Sequence, residues 1–235
     1  MSGLEIVLLV FGVLLLLLLL GVLLWWLRGR IDGAARSCYF AVQQMERDLG
    51  IKDRYQTPWI LLLGDEQQTR ELCTGWRLSS SGKPGWFGRW WYDSDAAVLA
   101  IPGAMFNHGE GALVQIAAWW RLLRMLVMMR AGRPLDAVIW TVPAEQLWAP
   151  DQAAAAGMAA RRKFNELLQR LGLSVPVYLL VTGLESVPGI KELADALPND
   201  ARERILGWSS PFAPGTAWHP EWSEIAIDQL VRALS

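Results

Sequence analysis

The sequence predicts an α/β fold, a mostly parallel sheet covered by helices on both faces and preceded by a single transmembrane helix. Three observations carry this expectation. Short apolar runs recur between helical stretches, they are continuous rather than alternating, and one long uncharged segment stands near the N-terminus. Continuous apolar strands are those buried on both faces, the situation that parallel sheets impose. A chain of 235 residues suffices for one domain of ordinary size. Lys and Arg total 22 against 23 Asp and Glu, and since Glu5 is the only charged side chain before Arg28, residues 28–235 carry 22 of each sign. That balance offers no general attraction to nucleic acid.

Residues 6–27 are 22 uncharged positions, all apolar except Gly12 and Gly21. A helix of that length would be about 33 Å long, enough for a hydrocarbon core. Glu5 in front of it and the lack of a small-residue cleavage site argue against a cleaved leader. Trp25 and Trp26 suit an interfacial belt, and Arg28, Arg30 and Arg36 favour retention of the following side in the cytoplasm. The expected organisation is a transmembrane helix over residues 6–27, a linking amphipathic helix over 28–56 and a cytoplasmic domain over 57–235. In that compartment Cys38 and Cys73 stay reduced. With His108 and His219 as the only imidazoles, no metal site is expected.

In the linker, Cys38, Val42, Met45 and Leu49 recur every three or four residues and form an apolar helical stripe. Pro58 introduces a run over 59–63, closed by Gly64, that suits a buried central strand. A polar helix follows. Residues 79–92 mix Ser, Gly and Pro with Trp86, Phe87, Trp90 and Trp91 and predict an irregular loop leading into an edge strand. Residues 97–101 give the next strand, bounded by Asp93-Ser94-Asp95 and Pro102-Gly103. A helix begins near Gly111 and ends at Gly132-Arg133-Pro134; residues 137–142 form the third buried strand. Residues 153–171 are helical, with Phe164, Leu167, Leu168 and Leu171 on one face and Gly172 to terminate it. Pro176 opens the fourth strand, 177–181, and a short helix over 224–234 covers the end.

Residues 112–129 are almost wholly apolar and invite comparison with a second span. Arg121 and Arg124 exclude it, because placing both near a bilayer centre would cost about 5–7 kcal/mol, whereas a soluble helix presents them on one face. The segment predicts a mostly buried helix. Part of its Trp and Met surface is a candidate for cover by a protein partner, through Trp119, Trp120, Met125, Met128 and Met129.

A strand ending in Gly64 and followed by a helix is where a phosphate-binding loop, G-x-x-x-x-G-K-[ST], would sit. Only Gly64 matches: Thr69 stands for the second Gly, Arg70 for the Lys and Glu71 for the hydroxyl that holds magnesium. Asp65, Glu66 and Glu71 bring three carboxylates to a loop that should attract triphosphate. The fold class predicted is therefore α/β, P-loop NTPase-like, with degenerate nucleotide motifs.

Residues 58–64, 90–99, Trp119, 133–139, 167–172 and 175–182 together resemble the cytoplasmic domain of the TssM/IcmF family, the large inner-membrane component of type VI secretion systems. The resemblance covers about residues 25–212. It implies a complete phosphate loop, an Asp-Thr-Ala-Gly segment and a Thr-Lys-x-Asp motif, and the chain departs from all three. Ala100-Ile101-Pro102-Gly103-Ala104 lacks the magnesium-binding Asp, and Thr182-Gly183-Leu184-Glu185 lacks the Lys. Gly64, Thr69, Arg70, Glu71, Thr182 and Glu185 are thus remnants, and no cofactor and no catalytic residue are expected. The resemblance also implies paired N-terminal spans and a further span leading to a long periplasmic region, of which one span is expected here.

The resemblance implies a non-catalytic, membrane-anchored scaffold or accessory component of a type VI secretion membrane complex. Such a protein would sit in the bacterial inner membrane as a single-pass chain, N-terminus periplasmic and main domain cytoplasmic. Its partners would be secretion-system membrane or baseplate proteins and the lipid bilayer, with homo- and hetero-oligomers both open and nucleic acid excluded. The alternatives are a membrane-anchored GTPase or ATPase with an atypical phosphate loop, and a membrane-tethered regulatory binding protein.

Overall fold

The structure, a computed structural model, describes the backbone of residues 3–80, 82–106, 113–172, 174–197, 207–213 and 216–234; within these, the side chains of 3–11, 23–32, 233 and 234 are not described. The elements in order are α1 (Gly3–Asp48), β1 (Trp59–Leu63), α2 (Glu66–Gly75), β2 (Ser79–Ser80), β3 (Arg89–Tyr92), β4 (Ala97–Ala100), α3 (Gly103–Phe106) and α4 (Leu113–Met129). They continue with β5 (Ala137–Pro143), α5 (Ala144–Leu147), α6 (Pro150–Leu171), β6 (Val177–Thr182), α7 (Ile190–Ala196) and α8 (Glu221–Leu234).

Six strands form one sheet in the order β2-β3-β4-β1-β5-β6. β4, β1, β5 and β6 run parallel, with Leu61 opposite both Leu99 and Val138. β3 and β2 extend the sheet antiparallel. The turn between β3 and β4 is held by the Asp93 carboxylate, which accepts from the amides of Asp95 at 2.8 Å and Ala96 at 2.9 Å. Residues 79–92, expected as an irregular loop and an edge strand, supply both β2 and β3, so the true edge is β2 and β3 lies inside. The expected helix start near Gly111 lies outside the described residues.

Alternation along β1 explains its unbroken apolar run. Leu61 and Leu63 face a large core that includes Val42 and Met45 of α1, Trp119, Leu122 and Leu126 of α4, and Leu167 of α6. Leu62 faces the opposite side, where Cys73 of α2 packs with Trp91 and Val98. α6 starts with Pro150 in its first turn and stops at Gly172, whose φ of 67° supplies the left-handed cap. On α4, Arg121 and Arg124 are exposed while Leu122 and Leu123 are buried, as a helix packed on one side requires.

Two parts of the expectation are corrected. Among the described residues no helix is long and apolar enough to cross a membrane. The expected span over 6–27 therefore falls, and with it the single-pass inner-membrane topology and the membrane-anchored form of the function. The second correction concerns class. The α/β assignment stands, but no phosphate-loop motif supports the P-loop NTPase-like label; what stands is a mixed sheet with helices, and the local geometry after β1 is described below.

Burial sets the titration of three core groups. Desolvation pushes the Cys38 and Cys73 thiols from 9.0 up to about 12, and Tyr92 from 10.0 up to about 12, assisted by its hydrogen bond to Asp48 at 2.6 Å. The ionised forms thus favour the unfolded chain. Their contribution to stability is complete below pH 9 for the thiols and below pH 10 for the phenol, and drains away as pH rises toward 12. Urea midpoints should accordingly fall between pH 8.5 and pH 11, and iodoacetamide at pH 8 should modify neither thiol until denaturant is added. Alkylation of the native chain as fast as of the denatured chain would contradict the burial.

Candidate functional site

Two places answer to the residues singled out in the sequence. The first is the connection after β1. The strand ends at Leu63, and only Gly64 and Asp65 precede the first helical residue, Glu66. A phosphate-binding loop wraps its ligand with a run of free backbone amides before the helix begins. Here there is no such run. Asp65 adopts the extended N-cap conformation, and its carboxylate accepts from the amides of Gln67 at 2.9 Å and Gln68 at 3.4 Å. The amides that could meet an anion thus already hold one belonging to the chain.

Packing closes what capping leaves. A Cβ on Gly64 would lie 1.8 Å from Thr141 Oγ1, which donates to the Leu63 carbonyl at 3.2 Å. A Cβ on Gly103 would lie 3.1 Å from the Gly64 carbonyl, so the connection after β4 sits directly against the end of β1. The remnant side chains are spent locally. The buried Thr69 hydroxyl donates to the Glu66 carbonyl at 3.1 Å, Arg70 pairs with Glu66 at 3.1 Å, and Glu71 accepts from the Gln67 side chain at 2.9 Å. At the other end, Thr182 reaches the Val142 carbonyl at 3.5 Å and Glu185 is exposed in a short 3-10 turn.

The second place is a groove of about 340 Å³ between α1 and α4. Ala35, Arg36 and Tyr39 form one wall, Met125, Met128 and Met129 the other, and Arg54 lies across the end. Arg54 is held by both oxygens of Glu46, by the Met129 carbonyl at 3.4 Å, and by the Tyr39 ring, whose centroid is 5.3 Å from its guanidinium carbon. Met125 is buried, Met129 is half-buried and Met128 is 76% exposed. The three methionines expected as contacts are therefore brought together. The two tryptophans are not with them: Trp119 is fully buried in the core beside Lys163, and Trp120 lies on another face under Arg170, 4.6 Å from its ring. Sequence reading missed the α1 wall, although Ala35 and Tyr39 stand one helical turn apart beside the apolar stripe.

The lower end of α4 is anchored through Arg130, which has no exposure. Its guanidinium donates to Asp136 at 2.9 Å and lies between the rings of Tyr55 and Trp59, 4.8 and 4.9 Å away. Asp136 also accepts from the Trp59 amide at 2.7 Å and from Arg133 at 2.7 Å. This network fixes where the methionine wall stands relative to β1.

The type VI secretion system component TssM1 of Pseudomonas aeruginosa is 32% identical over 126 residues, which is 53% of this chain and 11% of that protein. The chain thus corresponds to a small part of that relative's length. No solved structure matches. A family model described as the IcmF-related N-terminal domain matches residues 114–235. The resemblance noted at 58–64 and 90–99 lies outside that segment, whereas 133–139, 167–172 and 175–182 fall within it. With more than half of its residues under this model, the chain belongs to the IcmF-related N-terminal domain family.

Proposed function

We propose that the chain is a non-catalytic accessory component of a type VI secretion assembly, working by binding other proteins of that assembly. One observation carries the non-catalytic part: the Asp65 carboxylate occupies the helix amides after β1, in a connection too short and too closely packed to hold a triphosphate. The secretion context is supported by family membership and by the name of the TssM1 relative. The groove between α1 and α4 supports a binding role, since it gathers three methionines, side chains that adapt to partner surfaces.

Isothermal calorimetry of the full chain with magnesium and GTP or ATP should show no saturable heat up to about 1 mM nucleotide. Stoichiometric binding would replace this reading with the enzyme alternative. Quantitative cross-linking in intact cells should recover secretion-system proteins beside the chain; recovery of none would remove the secretion assignment.

A further inference from the structure

We infer that the groove between α1 and α4 docks an amphipathic helix of a partner protein, one that inserts Leu- or Met-sized side chains and carries acidic residues beside them. The inference rests on the binding role proposed above and adds the surface and the partner's chemistry. The apolar requirement follows from the wall: Met128 stands 76% exposed above the half-buried Met129 and the buried Met125.

Charge decides the partner's polar residues. α4 contains no Asp or Glu from Leu113 to Met129, and its exposed Arg124 lies one turn before Met128 on the same face. Arg36, exposed, stands on the opposite wall. Glu46, beside the Arg54 end of the groove, is already occupied by Arg54. Among the described residues no carboxylate pairs with Arg36 or Arg124. Among the described residues the rim is thus positive, and complementarity asks for carboxylates on the incoming surface.

Backbone chemistry decides its conformation. Both walls are α-helices, whose interior amides and carbonyls are already paired. An extended peptide would find no backbone partners there, whereas a helix brings none that need pairing. A flat lipid surface suits the site less well, because Met125 and Met129 lie at the floor of a concavity that side chains must enter.

The probe is a fluorescein-labelled synthetic helix with Leu at i, i+3, i+4 and i+7 and Glu at the flanking positions, titrated with the full chain and read by anisotropy. A second peptide carries Lys in place of every Glu. The expected result is saturable binding of the Glu peptide and at least about tenfold weaker binding of the Lys peptide. Met128→Glu should weaken the Glu peptide by about tenfold or more with an unchanged melting temperature, since its site is exposed. Arg36→Glu should weaken the Glu peptide and strengthen the Lys peptide. If Met128→Glu melts early, Met128→Gln takes its place.

Equal affinity for both peptides, or indifference of the Glu peptide to these substitutions, overturns the inference. So does Met128-dependent binding to phosphatidylserine vesicles without binding of the Glu peptide, which would make the groove a lipid-facing surface. Peptide failure alongside cellular cross-links to secretion proteins at another face would sink the groove alone. Loss of those cross-links would sink the broader role.

Discussion

Asp136→Ala is expected to lower the unfolding free energy by about 3–5 kcal/mol in urea titrations. The cause is what it leaves behind. Arg130 has no exposure and draws its only carboxylate partner among the described residues from Asp136; without it, a guanidinium remains buried between two aromatic rings. The Trp59 amide loses its acceptor in the same step, at the start of the central strand. Replacing both ends separates the terms. In Arg130→Met with Asp136→Ala the buried charge is gone, and the pair should be less destabilised than Asp136→Ala alone. A cost below about 1 kcal/mol for Asp136→Ala would mean that Arg130 finds water or another acceptor and that the network does not anchor α4.

Gly88→Ala is the second large effect, at about 2–4 kcal/mol from left-handed strain and overpacking together. Gly88 has φ of 102°, and a Cβ there would lie 2.0 Å from the carbonyl oxygen of Ala100, a backbone atom of the neighbouring strand that cannot step aside. The turn it closes, with Gly85 and Gly88 exchanging backbone bonds at 2.8 and 3.1 Å, presents Trp86, whose indole donates to the Ala34 carbonyl on α1 at 2.8 Å. The change should therefore loosen α1 as well as the sheet, visible as reduced protection of residues 33–48 in hydrogen exchange. Gly82→Ala is the control: its φ of 52° carries the conformational cost, but nothing lies within 4 Å. If both substitutions cost the same, the steric term at Gly88 is absent.

Much of the layout was readable without coordinates because its signals are local. The runs at 59–63, 97–101, 137–142 and 177–181 are bounded by Gly, Pro or Asp, and each becomes a strand within a residue or two. Gly172 marks its helix end by backbone chemistry that no distant contact alters, whereas the start of that helix, expected at 153, lies at Pro150. The degeneracy of the segment after Gly64 is likewise a matter of residue identity. The bilayer span inferred from 6–27 was the reading that failed, because hydropathy and length alone were made to stand for a topology. The phosphate-loop label failed for a related reason: a strand, a glycine and a helix in succession do not make a loop.

What sequence alone determined, then, was strand position, helix termination and the mismatch of residues 64–71 to a phosphate-loop motif, all written within a few neighbouring residues. Folding decided the rest. Trp119 and Trp120 are adjacent, yet one is core and the other lies on the surface beneath Arg170, because only the docking of α6 distinguishes their two faces. Asp65 became an anion for its own helix, Arg130 became a buried cation, and Met128 met Tyr39 across a groove from a position about ninety residues away. Burial and charge compensation are properties of which distant segments meet, and periodicity along one segment carries no record of its partner.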